Sequence, residues 1–285
     1  MGPGTKNILF YLNVTAFVLH LALAVVTGII GNVGLRPPLY ELKNTFTFNS
    51  SSSGFTIVPR LEEHGGFPVT TLTLSFFAIT SWFHLANALW WRKWYFDSLE
   101  ECFTPSRWTE YSITAPIMAS IIAYLSGLRE TFAIVTISGL ILTTMLFGLF
   151  TELYNRPHSA DEWGEENPLA RLFPHFLGFV PYSFAWARIL HSFFGTGGTC
   201  AAPAWVWAII VGQFVLFSSF VFPQQYQILN SPHKFANGEV GFIVLSFVSK
   251  AMLGIILLFG GITQDTFDAF ESIDVNTTCD VNNVA

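Results

Sequence analysis

The most unusual residue in this sequence is Lys250, because it lies in the middle of an apolar run, IVLSFVSKAMLGIILLF (residues 243–259). A lysine at the centre of a membrane-spanning helix costs roughly 2.5–3.5 kcal/mol to insert. A desolvated lysine amine is also a nucleophile toward carbonyl compounds, with which it forms a Schiff base. Ser246 and Gly254 lie four residues to either side, on the same helix face, and leave space beside the amine. The residue types leave two roles open: a covalent attachment site, or a lysine that pairs with a buried carboxylate for packing or transport.

Glu110 is the carboxylate best placed to neutralise this lysine. It lies near the start of another apolar segment, in the sequence RWTEYSITAP (residues 107–116). Arg107 lies three residues earlier and therefore on the same helix face, so an interfacial pair between Glu110 and Arg107 is the alternative. Two later residues can shape the site, one by hydrogen bonding to Glu110 and the other by kinking the helix: Thr114 and Pro116.

Further polar and aromatic residues lie within the apolar segments. His20 and His84 belong to neighbouring segments, and with Asn87 they favour a hydrated polar cavity over two unrelated packing histidines. Aromatic residues recur at mid-segment positions, where they either pack and face lipid or wall a flat, conjugated ligand. They are Trp82, Tyr182, Trp186, Phe217, Phe222 and Tyr226.

Membrane helices must position these residues. The chain has 285 residues, of which 52% are hydrophobic and 11% are charged, whereas soluble domains carry roughly 25% charged residues. Its apolar stretches reach the length of about 20 residues that crosses a bilayer. The sequence therefore predicts an all-α integral membrane protein, a bundle of seven transmembrane helices. The predicted segments are 8–31, 68–91, 105–127, 131–153, 169–195, 203–229 and 238–262.

Charge and cysteine content argue against several other classes. The net charge is −6, and no basic run of the kind that binds nucleic acid is present. The three cysteines lack the CxxC spacing of zinc sites, so no metal site is expected, and a disulfide between Cys200 and Cys279 stays open. The first segment has no A-x-A cleavage site and is longer than a signal-peptide core, which favours a retained helix.

Basic residues near the segment ends favour a cytoplasmic N-terminus. The side of the N-terminus holds six of them, and the opposite side holds four: Lys6, Arg92, Lys93, Arg156, Arg171 and Lys234 against Arg36, Lys43, Arg60 and Arg129. Two N-x-S/T sequences, at Asn49 and Asn276, also fall on the opposite, extracellular side. The sequence thus predicts a bundle over residues 1–265 and an acidic extracellular C-terminal tail over residues 266–285.

A long outer loop, residues 32–67, separates the first two segments. Within it, TFTFNSSSSGFTIV (residues 45–58) has the pattern of an alternating strand, a Ser/Gly turn and a second strand. This pattern predicts a β-hairpin in the outer loop. A folded hairpin at this place suggests a lid or a dimer contact rather than a simple connection.

Seven segments, a lysine central in the seventh and R-x-x-E in the third resemble the microbial-type retinal proteins and, among them, the heliorhodopsins. RWTEY (residues 107–111) resembles the third-helix motif of that family, and SFVSK (residues 246–250) resembles its seventh-helix motif. His20 and His84 match the family's pair of cavity histidines, and the strand-forming outer loop matches its dimer-contact loop. The resemblance covers nearly the whole chain, and the family shares the N-terminus-inside orientation.

The resemblance implies that Lys250 carries all-trans retinal as a protonated Schiff base, with Glu110 as its counterion. Light would isomerise the retinal to the 13-cis form and start a slow photocycle. Where proton pumps of the superfamily keep a second carboxylate and a second counterion, this chain has Ile121 and Ser246, so outward pumping is not expected. The expected pocket residues are Ser246, Tyr111, Thr114, Pro116, Trp186, Phe222 and Tyr226, with His20, His84, Asn87 and Arg107 as a polar network.

Three functions stay open on this basis, and none of them is enzymatic. The first is a light sensor, in which isomerisation rearranges Glu110 and the histidine network and changes a cytoplasmic or partner-facing surface. The second is a light-gated ion conductance, with the proton as the expected ion. The third is a lysine-dependent transporter or receptor without a chromophore. The lipid bilayer, a second copy of the chain in a homodimer and an unidentified signalling protein are the expected partners.

Overall fold

The computed structural model describes residues 1–49, 54–156, 167–195, 202–230 and 232–263. Its α-helices, in chain order, are α1 (Pro3–Ile30), α2 (Val69–Ala88), α3 (Arg92–Glu100), α4 (Pro105–Leu125), α5 (Thr131–Tyr154), α6 (Pro168–Gly195), α7 (Ala204–Ser219), α8 (Val221–Leu229) and α9 (Phe235–Leu257). A short 3₁₀ turn, Pro232–Lys234, precedes α9, and a π-helical turn, Leu258–Ile262, follows it. The two strands are β1 (Pro38–Asn49) and β2 (Gly54–Gly66).

Within the described residues, five helical stretches are long and apolar enough to cross a bilayer. They are α1, α2, α5, the pair α7 and α8, and α9 with the turns that flank it. The other two predicted segments are also helical, as α4 and α6, with 21 and 28 residues, but they are less apolar. The structure therefore confirms a mostly helical membrane protein with several spans. The number seven and the orientation of the termini stay predictions.

The helices pack as a closed ring. Helix α1 packs on α2 and α9, α2 on α4, α4 on α5 and α5 on α6, while α8 contacts both α6 and α9. Buried apolar side chains fill the half of the ring toward the hairpin, and the large ones include Phe76, Phe77, Ile121, Ile122, Phe193 and Leu257. This packing excludes water on the hairpin side of the bundle centre.

Contacts among the described helix ends mark the two ends of the ring. Lys6 in α1 forms an ion pair with Glu100 at the end of α3, and Arg156 after α5 forms one with Glu101. The hydrogen bond from Lys6 holds the pKa of the Glu100 carboxyl below its ordinary value. At the opposite end the backbone N–H of Asn32 donates to the carbonyl of Ile262. The hairpin lies at this second end, away from the N-terminus.

The predicted β-hairpin is confirmed, and it is longer than the sequence pattern indicated. Its antiparallel register pairs Phe48 with Phe55, Phe46 with Ile57 and Leu42 with Leu61. Because side chains alternate along a strand, these apolar residues share one face, and all six are exposed. The backbone N–H of residue 40 donates to the carbonyl of residue 129, which ties the hairpin to the connection between α4 and α5.

Two local features differ from the predicted segments. The second segment was expected to run to residue 91, but α2 ends at Ala88, and the separate helix α3 follows, with Tyr95, Phe96 and Leu99 buried and its charged residues exposed. The sixth segment was expected to be continuous, but Phe220 separates α7 from α8. Pro223 lies in the first turn of α8, where its missing N–H breaks no helical hydrogen bond.

The disulfide alternative for Cys200 and Cys279, the sequence at Asn276 and the predicted C-terminal tail all lie outside the described residues. Within them, Cys102 is buried and unpaired.

Candidate functional site

Lys250 and Glu110 form a buried ion pair between α9 and α4. Lys250 Nζ lies 2.8 Å from Glu110 Oε1, and the two side chains are only 4% and 6% exposed. The amine also donates to Ser246 Oγ at 2.7 Å. Glu110 Oε1 accepts two further hydrogen bonds, from Thr80 Oγ1 at 2.6 Å and from Thr114 Oγ1 at 3.1 Å. The charges of this pair cancel where both side chains are buried, which explains how the bundle tolerates a central lysine.

Helix geometry explains why these side chains meet. Ser246 precedes Lys250 by four residues and Thr114 follows Glu110 by four, so each hydroxyl lies one turn from the charge that it contacts. Thr80 in α2 comes from a third helix and was not predicted from the sequence. Pro116 lies inside α4, two residues after Thr114. It is half-buried and does not contact the ion pair through a hydrogen bond.

The two predicted cavity histidines lie side by side. The rings of His20 in α1 and His84 in α2 stack with their centroids 5.7 Å apart. His20 Nδ1 lies 2.7 Å from the carbonyl of Ala16, and His84 Nδ1 lies 2.8 Å from Asn13 Oδ1. The Nε2 atoms of both rings are buried without a described partner. The structure thus brings both histidines together next to Asn87, which is also buried.

Arg107 does not pair with Glu110, which was the alternative from the sequence. Its guanidinium instead forms ion pairs with Glu152 of α5 and Glu239 of α9, and all three side chains are buried. Tyr95 of α3 donates a hydrogen bond to Glu239 Oε1 at 3.1 Å. This cluster therefore ties α3, α4, α5 and α9 together at the end of the bundle that holds the N-terminus.

Glu152 and Glu239 were not predicted from the sequence, because both lie close to predicted segment ends, where an acid normally faces water. The signal that was present is the helical phase: Glu152 continues the apolar α5, and Glu239 precedes the buried Phe242 and Ser246 by three and seven residues on one helix face.

The main cavity extends from Lys250 into the half of the bundle formed by α4 to α9. Its volume is about 90 Å³, counted as the space that the centre of a water molecule can occupy, and about 810 Å³ lies between its atoms when the part that opens to the outside is included. Its wall is largely aromatic and apolar, with Trp108, Tyr111, Met118, Phe147, Phe179, Tyr182, Phe217, Phe220 and Phe242. Polar groups are concentrated at Lys250, Ser246 and Thr114, and a second polar pair, His175 and Gln224, lies elsewhere on the wall.

Only some of the expected aromatic residues line this cavity. Tyr182 and Phe217 do, and Trp186 is buried behind them, with its ring 5.8 Å from that of Phe217. Phe222 is 68% exposed and Tyr226 is 38% exposed, so neither is placed at the cavity wall. Helical spacing explains this difference, because Phe222 follows the cavity-lining Phe217 by five residues and so lies on another face. Phe220 and Val221 face the cavity in place of Phe222.

The chemistry of the main cavity wall fits retinal. An elongated, apolar and conjugated molecule with one carbonyl end requires a long aromatic-walled space with a single amine at one position. Lys250 is the lysine on this wall, and Ser249 and Ser246 are its small neighbours there. The residues present therefore suit the cofactor that the resemblance implied.

Comparison with solved structures identifies the fold as that of a microbial rhodopsin. The crystal structure of xanthorhodopsin, described as a light-driven ion pump with dual chromophore, superimposes with a TM-score of 0.60. The alignment covers 95% of this chain and 98% of that one at 12% sequence identity, which supports the shared fold alone. No curated protein sequence matches this chain.

The heliorhodopsin family model matches residues 9–262, and the chain belongs to that family. The resemblance inferred from RWTEY and SFVSK is thereby confirmed. Family and fold together make this a membrane protein that binds retinal and responds to light.

Proposed function

We propose that this protein is a light sensor in which Lys250 carries all-trans retinal as a protonated Schiff base and Glu110 is the counterion. The observation that carries this proposal is the contact of 2.8 Å between Lys250 Nζ and Glu110 Oε1 beside the aromatic cavity. A carboxylate at this distance can neutralise a positive nitrogen that is removed from water. The membership in the heliorhodopsin family supports the same assignment.

The side chains around the pair have separate tasks in this proposal. Retinal, when bound, supplies visible absorption and a change of shape on illumination. Thr80 and Thr114 hold Glu110 through hydroxyl donors and favour its anionic form. Tyr111, whose ring centre lies 5.0 Å from Lys250 Nζ, covers the amine on the cavity side. Both side chains of the pair are buried, so solvent screens Glu110 little and its charge acts strongly on the nitrogen.

Outward proton pumping is not part of this function. A pump needs proton-binding groups on both sides of the nitrogen, and Ile121 and Ser246 occupy the positions where related pumps keep carboxylates. Ile121 is fully buried within the apolar cluster. A carboxylate introduced at Ile121 alone is therefore not expected to create a proton path through the hairpin side of the bundle.

Absorption spectroscopy tests the central assignment. Full-length protein expressed without retinal should gain a visible band when all-trans retinal is added, and Lys250→Ala should lose it. Lys234→Ala is the matched control, because that lysine lies in a turn at the end of the bundle and should keep the band. A band that survives Lys250→Ala, or no band at all, would refute the retinal assignment.

We also propose seven spans with the N-terminus in the cytoplasm and the C-terminus outside. Helices α4 and α6 belong to the same closed ring as the five long apolar helical stretches, which supports counting them as spans. Single cysteines placed at Asp97 and at Thr45 should react with an impermeant maleimide from opposite sides of intact cells. Labelling of both from the same side would contradict this topology.

The hairpin is proposed as a homodimer contact. Its apolar face, formed by Leu42, Phe46, Phe48, Phe55, Ile57 and Leu61, is exposed on a single chain, whereas its other face holds the ion pair of Lys43 with Glu62. Exposed apolar area of this kind marks an interaction surface. Phe46→Asp with Phe55→Asp should convert dimers to monomers in native mass spectrometry, whereas Thr45→Asp on the other face should not.

A light-gated proton conductance is the second candidate function. The observation in its favour is the group of buried polar side chains around the ion pair, which includes the stacked His20 and His84. The apolar cluster on the hairpin side opposes it. Photocurrents under voltage clamp that reverse with the proton gradient would establish conductance. If a fully pigmented protein gives no photocurrent, the light sensor is the function that stands.

A further inference from the structure

The sequence LWWRKW (residues 89–94) joins α2 to α3, outside the site around Lys250. Helix α2 is long and apolar enough to cross a bilayer, and it ends at Ala88, so this sequence begins where the chain leaves the apolar core of the membrane. Helix α3 packs against α2 and α9 at the end of the ring that holds the N-terminus. The LWWRKW motif therefore lies at a bilayer surface, at the level of the lipid headgroups.

Exposed apolar and aromatic side chains accompany this position. Leu89, Trp90 and Trp94 are all exposed. The rings of Trp82, Trp91 and Trp94 form a tryptophan ladder with edge-to-face contacts, in which successive centroids are 5.0 and 5.8 Å apart. Trp82 is an exposed residue of α2, so the ladder leads from the membrane-spanning helix to the motif. Tryptophan concentrates at membrane–water interfaces, because its ring is apolar and its N–H is polar.

Arg92, in the middle of the motif, is an exposed arginine whose guanidinium rests on aromatic rings. Its Cζ lies 4.5 Å from the ring centre of Phe10 in α1 and 5.9 Å from that of Phe96 in α3. Stacking of this kind uses the flat face of the guanidinium and leaves its N–H edges available. Two parallel N–H groups of such an edge match two oxygens of a phosphate. Arg92 is thus oriented for a bidentate acceptor.

Within the part of the chain that the structure describes, Arg92 has no carboxylate partner. Helix α3 and the residue after it carry three acids, and each of them pairs with another cation: Asp97 with Lys93, Glu100 with Lys6 and Glu101 with Arg156. Lys6 Nζ also lies 5.9 Å from the Phe96 ring centre, so two cations flank this ring. The positive charge of Arg92 therefore lacks an anion at the level where lipids carry phosphate.

We propose that Arg92 and the tryptophans of the LWWRKW motif bind an anionic phospholipid, with the guanidinium on the phosphate and the tryptophan ladder beside the first part of the acyl chains. A zwitterionic headgroup fits less well, because its ammonium group would add a positive charge next to Arg92 and Lys6. A lysine at position 92 would keep the charge but lose the fork of N–H groups. The site lies outside the retinal cavity and does not depend on the light-sensing function.

Binding at this place has a structural consequence. Arg92 belongs to α3, whereas its aromatic support Phe10 belongs to α1. A phosphate on the guanidinium neutralises its charge while the ring keeps its contact, so the lipid stabilises the packing of α3 on α1. Because a ligand that binds only the folded state raises stability, an anionic lipid should raise the unfolding temperature of the protein.

Native mass spectrometry of the full-length, retinal-loaded protein in detergent tests the site. Phosphatidylglycerol should bind about fivefold more tightly than phosphatidylcholine with the same acyl chains, which is the effect of one basic residue near an anionic headgroup. Arg92→Gln should remove this preference, and Arg92→Lys should reduce it. Arg60→Gln is the matched control, because that exposed arginine lies on the hairpin at the opposite end of the ring, and the preference should persist.

The visible band of each variant shows that it is folded, so a lost preference is not a lost fold. The unfolding temperature in micelles gives a second readout: added phosphatidylglycerol should raise it for the unsubstituted protein and for Arg60→Gln, but not for Arg92→Gln. Both effects should shrink at high salt, since the contact is between charges at a surface. Equal binding of the two lipids by the unsubstituted protein, or a preference that survives Arg92→Gln, overturns the proposal.

Discussion

Glu110→Gln is the substitution whose effect follows most directly from the geometry. It preserves the shape of the side chain and removes the negative charge that lies 2.8 Å from Lys250 Nζ. At an effective dielectric constant of about 20, the lost attraction is about 6 kcal/mol. Relaxation of the surrounding side chains offsets part of this loss. The retinal-free variant should therefore lose about 3–5 kcal/mol of stability, as broken buried ion pairs do.

A double-mutant cycle isolates the pair from the rest of the site. We expect Glu110→Gln and Lys250→Met each to destabilise the retinal-free protein, because each leaves one buried charge without a partner. The double variant should regain most of the loss, since no buried charge remains. The free energies of unfolding would be measured by reversible denaturant titration in mixed micelles. A coupling energy below about 0.5 kcal/mol would refute the inference that the two charges depend on each other.

The same substitution has a second, optical consequence. In the retinal-loaded protein, Glu110→Gln should shift the visible band to the red, because a weaker counterion stabilises the ground-state cation less. Thr80→Val is the matched comparison, since it removes one hydrogen bond to Glu110 and keeps the charge. We expect a smaller shift from it. A blue shift, or an unchanged spectrum at neutral pH, would assign the counterion to another group.

Three further outcomes follow from packing and burial. Arg107→Leu should destabilise the protein by about 3–5 kcal/mol, because it leaves two buried carboxylates without their shared partner. Gly254→Val should destabilise it by about 1–3 kcal/mol, because any Cβ at this position contacts the ring of Phe77. Burial raises the pKa of the Cys102 thiol to about 12, so with the other cysteines replaced by serine the folded protein should resist maleimide at pH 8. Reaction rates and unfolding free energies measure these effects.

Each of these has a matched control. Arg92→Leu removes an exposed arginine near the same end and should change stability little. Gly139→Val adds the same side chain in α5 where no atom lies within 4 Å of the new Cβ, so only helix propensity should matter. Cys102 should react readily once the protein is denatured. Full reaction in the folded state would show that this thiol is not buried.

Local patterns in the sequence were sufficient for several features of the fold. Hydropathy and length predicted membrane helices, and alternation around a Ser/Gly turn predicted the hairpin, because both depend on residues that are near one another along the chain. Glu110 was expected near Lys250 because a buried lysine needs an anion and few carboxylates lie within the apolar segments. The short helix α3 was missed, because nine residues of mixed polarity carry little periodic signal.

The sequence by itself determined which residues must avoid water and which charge must be neutralised: Lys250 within its apolar run. Only the tertiary structure decided the pairings. Arg107 and Glu110 are one turn apart on α4, yet the first contacts Glu152 and Glu239 and the second contacts Lys250. The physical reason is that each buried charge must find its partner across helices, and the relative rotation and depth of packed helices are not encoded in any local pattern.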